Sequence, residues 1–154
     1  TVTAGGKQEF VGWIALDVSA IKTKAMGGSC LGKFVFDYEP RHQLVLFTGS
    51  GMSDGMIRRF DLRWGKVTGE LAGHRSTVTR IKFHDAYGKR RIFSASWDGT
   101  VRMWDPKTMT SVKVFPVTSS PQLTSLELSY ILKEHLWIFV GCYDKTARML
   151  KISA

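Results

Sequence analysis

Hydrophobic residues along the chain fall in short runs in which apolar and polar positions alternate, the period of half-buried strands. The clearest series is Thr68–Leu71, Val78–Phe83, Arg91–Ser96 and Val101–Trp104. Turn-forming residues separate its members: Gly73-His74, the stretch Asp85 to Gly88, and Asp98-Gly99. A second series reads Ile21–Ala25, Leu31–Phe36, Leu44–Thr48 and Met56–Phe60, and a third Val112–Phe115, Leu123–Leu128, Leu136–Gly141 and Ala147–Ile152. Valine, isoleucine, threonine and aromatic residues are frequent in the runs, and no segment combines a helical period with helix caps. The pattern predicts an all-β chain of short antiparallel strands.

The series themselves repeat. Asp17, Asp61 and Asp105 lie 44 residues apart, closing Trp13-Ile14-Ala15-Leu16-Asp17, Met56-Ile57-Arg58-Arg59-Phe60-Asp61 and Thr100-Val101-Arg102-Met103-Trp104-Asp105. The pattern returns 46 residues further on, in Tyr143-Asp144-Lys145-Thr146-Ala147-Arg148-Met149-Leu150-Lys151. Four strands in each stretch of this length describe one blade of a β-propeller. The approximate units are 1–17 (partial), 18–61, 62–105 and 106–151.

With Gly73-His74 near its start and Trp104-Asp105 at its end, the unit 62–105 resembles the WD-repeat family, and weaker likeness runs over nearly the whole chain. The resemblance implies a WD-type propeller, here of about three and a half four-stranded blades. It also implies a buried polar tetrad of His74, Ser96, Asp98 and Trp104. An indole N–H only donates, serine and imidazole both donate and accept, and a carboxylate accepts, so the four can satisfy one another. The other units depart from this pattern: Leu16, Phe60 and Leu150 stand at the Trp position, Ser29 and Ser119 near the His position, and Ser50 and Cys142 at the Ser position. Asp54 and Asp144 keep the turn aspartate. One blade is therefore expected to hold a complete tetrad. His74, Asp98 and Ser96 also have the residue types of a hydrolytic triad, but their structural use in the family is the preferred reading.

Closed propellers have roughly 4–8 blades, so a larger ring is expected, completed by sequence missing here or by another chain. Thr1 in place of Met, with Val2-Thr3-Ala4 already reading as strand, suggests further sequence upstream. A last strand at Leu150-Lys151-Ile152 is consistent, by the resemblance, with the C-terminal half of a propeller.

Loops on a rigid scaffold are where binding residues concentrate. The resemblance places the residue before each turn aspartate toward one rim, which selects Trp97, Tyr143 and Ser53; the entering loop Arg75-Ser76-Thr77 is expected beside them. Exposed aromatic residues of this kind are candidate anchors for a partner. On the opposite rim, Lys89, Arg90 and Arg91 in Tyr87-Gly88-Lys89-Arg90-Arg91 form a basic turn, either a solvated hairpin tip or a phosphate contact.

Charge widens the choice of partner. The chain has 22 Lys+Arg against 13 Asp+Glu, a net charge of +9, which favours acidic partners or simply keeps a basic surface solvated. Cys30 and Cys142 form no CxxC pair and fit a reducing compartment, so an intracellular address is expected, cytoplasmic ahead of nuclear. No apolar run approaches the roughly 20 residues of a membrane span.

No enzyme, cofactor or metal is expected. Gly5-Gly6 and Gly27-Gly28 lack the spacing and lysine of a phosphate loop, and His42, His74, His84 and His135 show no metal-ligating spacing. The leading expectation is a non-catalytic protein–protein scaffold, a subunit of a multi-protein complex. An RNA-associated propeller of a ribonucleoprotein or ribosome-assembly particle comes second. A phosphoinositide-binding trafficking protein comes third, because Ile57-Arg58-Arg59-Phe60 lies at a different place in the repeat from the paired-arginine motif of lipid-binding members.

Overall fold

Alternation of β-branched and aromatic residues with polar ones turns into strands wherever the structure is described. The computed structural model describes residues 34–39, 43–50, 54–61, 64–86, 88–117, 122–131 and 135–152. Unit 1–17, the run Ile21–Ala25, and Ser29, Ser53, Tyr87 and Ser119 lie outside them.

Three antiparallel sheets follow one another along the chain. The first contains β1 (Phe34–Glu39), β2 (Gln43–Gly49), β3 (Ile57–Asp61) and β4 (Lys66–Leu71), in that order. The second contains β5 (Val78–Ala86), β6 (Lys89–Ser96), β7 (Thr100–Asp105) and β8 (Thr110–Pro116), again in sequence order. The third contains β9 (Leu123–Ile131), β10 (His135–Cys142) and β11 (Ala147–Ile152). This is the all-β, partial propeller that the sequence led us to expect.

The sheets are offset from the sequence units by one strand. β4, the first strand of unit 62–105, pairs with β3 of the preceding sheet, and β8, the first strand of unit 106–151, pairs with β7. Reading each unit as one blade is therefore corrected: a unit supplies the last strand of one sheet and the first three strands of the next. Alternation fixes which face a residue occupies, but not which neighbour its strand will join.

The middle sheet is buried on both faces. Ile92 and Trp104 pack with Val45, Phe47, Ile57 and Leu71 of the first sheet. Phe93, Ala95, Val101 and Met103, one position out of phase, pack with Leu126, Leu128, Leu136, Ile138 and Val140 of the third. Residues 92 to 96 of β6 are consequently all buried, as a strand sandwiched between two layers requires.

Backbone contacts clamp the sheets at one end. Val78 N donates to Ser50 O (3.1 Å), and Gln122 N donates to Trp97 O (3.2 Å). Thr79 Oγ1 donates to Leu123 O at 2.7 Å, from the second sheet to the third. Gly55 has φ +61°, and a Cβ there would lie 2.1 Å from His74 O, so only glycine allows this close approach. This end, carrying the β2–β3, β4–β5 and β6–β7 connections, is called the upper rim. The β3–β4, β5–β6 and β7–β8 turns lie on the lower rim.

Candidate functional site

At the upper rim of the middle sheet, polar side chains are enclosed between hydrophobic layers and must satisfy one another. Trp104 Nε1 lies 2.8 Å from Ser94 Oγ. Ser94 Oγ lies 2.7 Å from His74 Nε2, and His74 Nδ1 lies 2.8 Å from Asp98 Oδ2. The indole can only donate, so Ser94 accepts from it and gives its own proton to Nε2, which leaves Nδ1–H to face the carboxylate.

The serine of this network is Ser94, not Ser96. On β6 the two lie at alternate positions, both fully buried, so residue type and burial cannot separate them. Ser94 follows Ile92, the register partner of Trp104, on the same face of β6, whereas Ser96 sits two residues nearer the turn. There Ser96 Oγ donates to Ser76 O (3.1 Å) and accepts from Asp98 N (3.1 Å). It braces the loop instead of joining the tetrad.

Asp98 collects the strongest set of donors. Burial alone would raise its pKa, but His74, Thr100 and the Arg75 N–H hold the carboxyl far below the usual range. The turn geometry recurs in the neighbouring sheets. Thr100 N donates to Asp98 Oδ1 (2.9 Å), Met56 N to Asp54 Oδ1 (2.9 Å) and Thr146 N to Asp144 Oδ1 (3.0 Å).

Arg75 is exposed on the loop into β5, with its N–H 3.0 Å from Asp98 Oδ2. Trp97, half-buried, donates its N–H to Thr77 O (2.9 Å). Tyr143 in the third sheet is 73% exposed, and its N–H donates to Gln122 O (2.9 Å). Backbone bonds thus join Thr77, Trp97, Gln122 and Tyr143 into one continuous line along the rim. Thr77 is a correction: its side chain is buried, because its loop is tied down against Trp97, so it offers no surface to a partner. Ser76 is half-buried, and Ser53 lies outside the described residues.

The basic turn of the lower rim is largely engaged with the protein itself. Arg91 Nη1 pairs with Asp105 Oδ2. Asp105 is held below the usual carboxylate range first by the N–H of Lys107 and also by Arg91. The Arg90 guanidinium lies 4.7 Å from the centre of the Phe83 ring, while Lys89 is exposed.

The family described as "WD domain, G-beta repeat" matches residues 65–105, the stretch that holds the tetrad. That stretch is a WD repeat. Two curated relatives are named as subunits of complexes. The target of rapamycin complex 1 subunit mip1 of Schizosaccharomyces pombe is 34% identical over 50% of this chain and 6% of its own length. The THO complex subunit 6 of Drosophila melanogaster is 33% identical over 51% of this chain and 21% of its own. The chain therefore spans only a small part of the relatives it matches. Among solved structures, the WD40 β-propeller domain of Doa1 superposes with a TM-score of 0.54 at 27% identity, covering 68% of this chain and 32% of that one.

Asp98, His74 and Ser94 of this WD repeat have the connectivity of a hydrolytic triad. A nucleophile must reach its substrate, however, and Ser94 is completely buried with Trp104 Nε1 occupying its oxygen. The array is built to satisfy buried polar atoms. Among the described residues, no three of the His, Cys, Asp and Glu side chains gather as metal ligands.

Proposed function

We propose that this chain is part of a non-catalytic intracellular scaffold that holds protein partners of a larger assembly on its upper rim. The observation that carries this reading is the backbone line from Thr77 through Trp97 and Gln122 to Tyr143. It fixes half-buried Trp97 and highly exposed Tyr143 along one edge of two sheets, with exposed Arg75 held beside Asp98 through its own N–H. Aromatic and arginine side chains held on a rigid frame give contact area at small entropic cost. Relatives named as complex subunits support the same reading. The low cysteine content supports an address inside the cell.

RNA and phosphoinositide binding rank lower. The +9 charge names no partner by itself, and Arg91 of the basic turn is committed to Asp105.

Affinity capture of the full-length protein tests the reading. Tyr143→Ala and Trp97→Ala are expected to strip the same proteins from the captured set, each weakening the association by about 2 kcal/mol, with thermal unfolding of the Tyr143 variant unchanged. If both variants retain every partner while remaining folded, the upper rim is not the binding surface.

A further inference from the structure

We propose that a cavity on the lower rim receives the carboxylate side chain of an acidic segment of a partner protein, with Arg90 and His84 as its ligands. The inference rests on the scaffold reading and gives it a second contact surface. The cavity, roughly 300 Å³, is lined by Phe83, His84, Asp85, Arg90 and Tyr130. It lies where β5 and β6 of the second sheet meet β9 of the third.

Its walls are preset. Tyr130 Oη donates to Asp85 O (2.8 Å), and its ring stands 5.4 Å from that of His84. Phe83 backs the Arg90 guanidinium. His84 Nε2 is enclosed and, among the described residues, has no hydrogen-bond partner. A buried polar atom left in that state costs free energy that a suitable ligand recovers. A carboxylate is such a ligand, since its two oxygens can accept from an imidazole N–H and a guanidinium together.

Charge selects further. Lys66, Lys89 and Lys107 are exposed on the same rim and draw acidic chains toward it. Within the cavity, Arg90 is the one permanent cation and Asp85 is a lining carboxylate, so a singly charged carboxylate meets less repulsion than a doubly charged phosphate. The arrangement also disfavours a nucleobase, because the Phe83 face carries Arg90 and His84 faces Tyr130, leaving those rings already partnered.

Fluorescence anisotropy on the full-length protein, with fluorescein-labelled hexaglutamate as probe, tests the proposal. Arg90→Gln and His84→Phe are each expected to weaken binding about tenfold. His84→Phe keeps the ring beside Tyr130 and removes the unpartnered nitrogen, so its melting temperature is expected not to fall. Lys107→Gln, on the same rim but outside the cavity, is expected to change affinity by less than about twofold. Equal losses for Arg90→Gln and Lys107→Gln would mean diffuse rim charge and overturn the proposal. Tighter, Arg90-dependent binding of oligouridine or of phosphatidylserine vesicles would replace the carboxylate with that ligand. Failure of hexaglutamate to bind would sink the cavity proposal alone, because the Tyr143→Ala capture reads the upper rim independently.

Discussion

Ser94 and Ser96 differ by two positions, yet one holds the core network and the other a loop. The sequence exposes the residue types of the tetrad, whose Trp104 reaches His74 and Asp98 through Ser94. The register between β6 and β7, which brings Trp104 opposite Ile92, is a property of the paired strands and is not written in either one. A double-mutant cycle separates the two serines. Trp104→Phe with Ser94→Ala is expected to show a coupling of about 1–2 kcal/mol in urea unfolding, whereas Trp104→Phe with Ser96→Ala is expected to be additive. Coupling to Ser96 alone would refute the assignment.

The turn aspartates also show how one residue reroutes another. Arginine stands four positions after the turn aspartate in all three sheets, as Arg58, Arg102 and Arg148. Arg58 and Arg148 pair with Asp54 and Asp144. In the middle sheet His74 takes the carboxylate, and Arg102 instead lies 5.7 Å from the Trp104 ring centre. Asp98 carries a lowered pKa in the folded chain, so its charge stabilises the fold above the pKa of an unfolded aspartate. That contribution is lost as pH falls through the folded value. The stability difference between the protein and its Asp98→Asn variant is thus expected to stay constant down to about pH 5 and to shrink below about pH 4. A difference that instead persists into strong acid would mean that the charge of Asp98 is not what matters.

At the level of strands, alternation located the elements well. The run Val78–Phe83 became Val78–Ala86, and Arg91–Ser96 became Lys89–Ser96, each extended into the hairpin between them. What alternation could not supply was the sheet that each first strand joins, which depends on contacts across the boundary. Thr79 illustrates such a contact, since its hydroxyl donates to Leu123 O and, at 3.2 Å, to Ala95 O. Thr79→Val preserves shape while leaving Leu123 O short of a donor. It is expected to cost about 1–2 kcal/mol by urea unfolding, and no loss would show that the bond does not clamp the sheets. Gly55→Ala is expected to be at least as damaging, because it adds a Cβ against His74 O at a positive φ.

Across the whole molecule the two rims differ in how their charges are spent. Along the upper rim, arginines and carboxylates meet in pairs, Arg58 with Asp54 and Glu70 and Arg148 with Asp144, while Asp98 is hydrogen-bonded by His74. The lower rim pairs Arg91 with Asp105 but keeps Lys66, Lys89 and Lys107 exposed, three cations against the exposed Arg75 of the upper-rim entering loop. Rising salt is therefore expected to release lower-rim partners and to spare those that depend on Tyr143. Parallel capture at low and high ionic strength reads both; equal salt sensitivity would remove the distinction.

The one-strand offset between repeat and sheet reaches into the history of such a chain. A gene segment encoding one unit carries the closing strand for the blade before it and an open three-stranded body awaiting the next. Duplicating or deleting that segment leaves every surviving strand with a partner of the right kind, so a lineage can change the size of its ring without inventing a new seam.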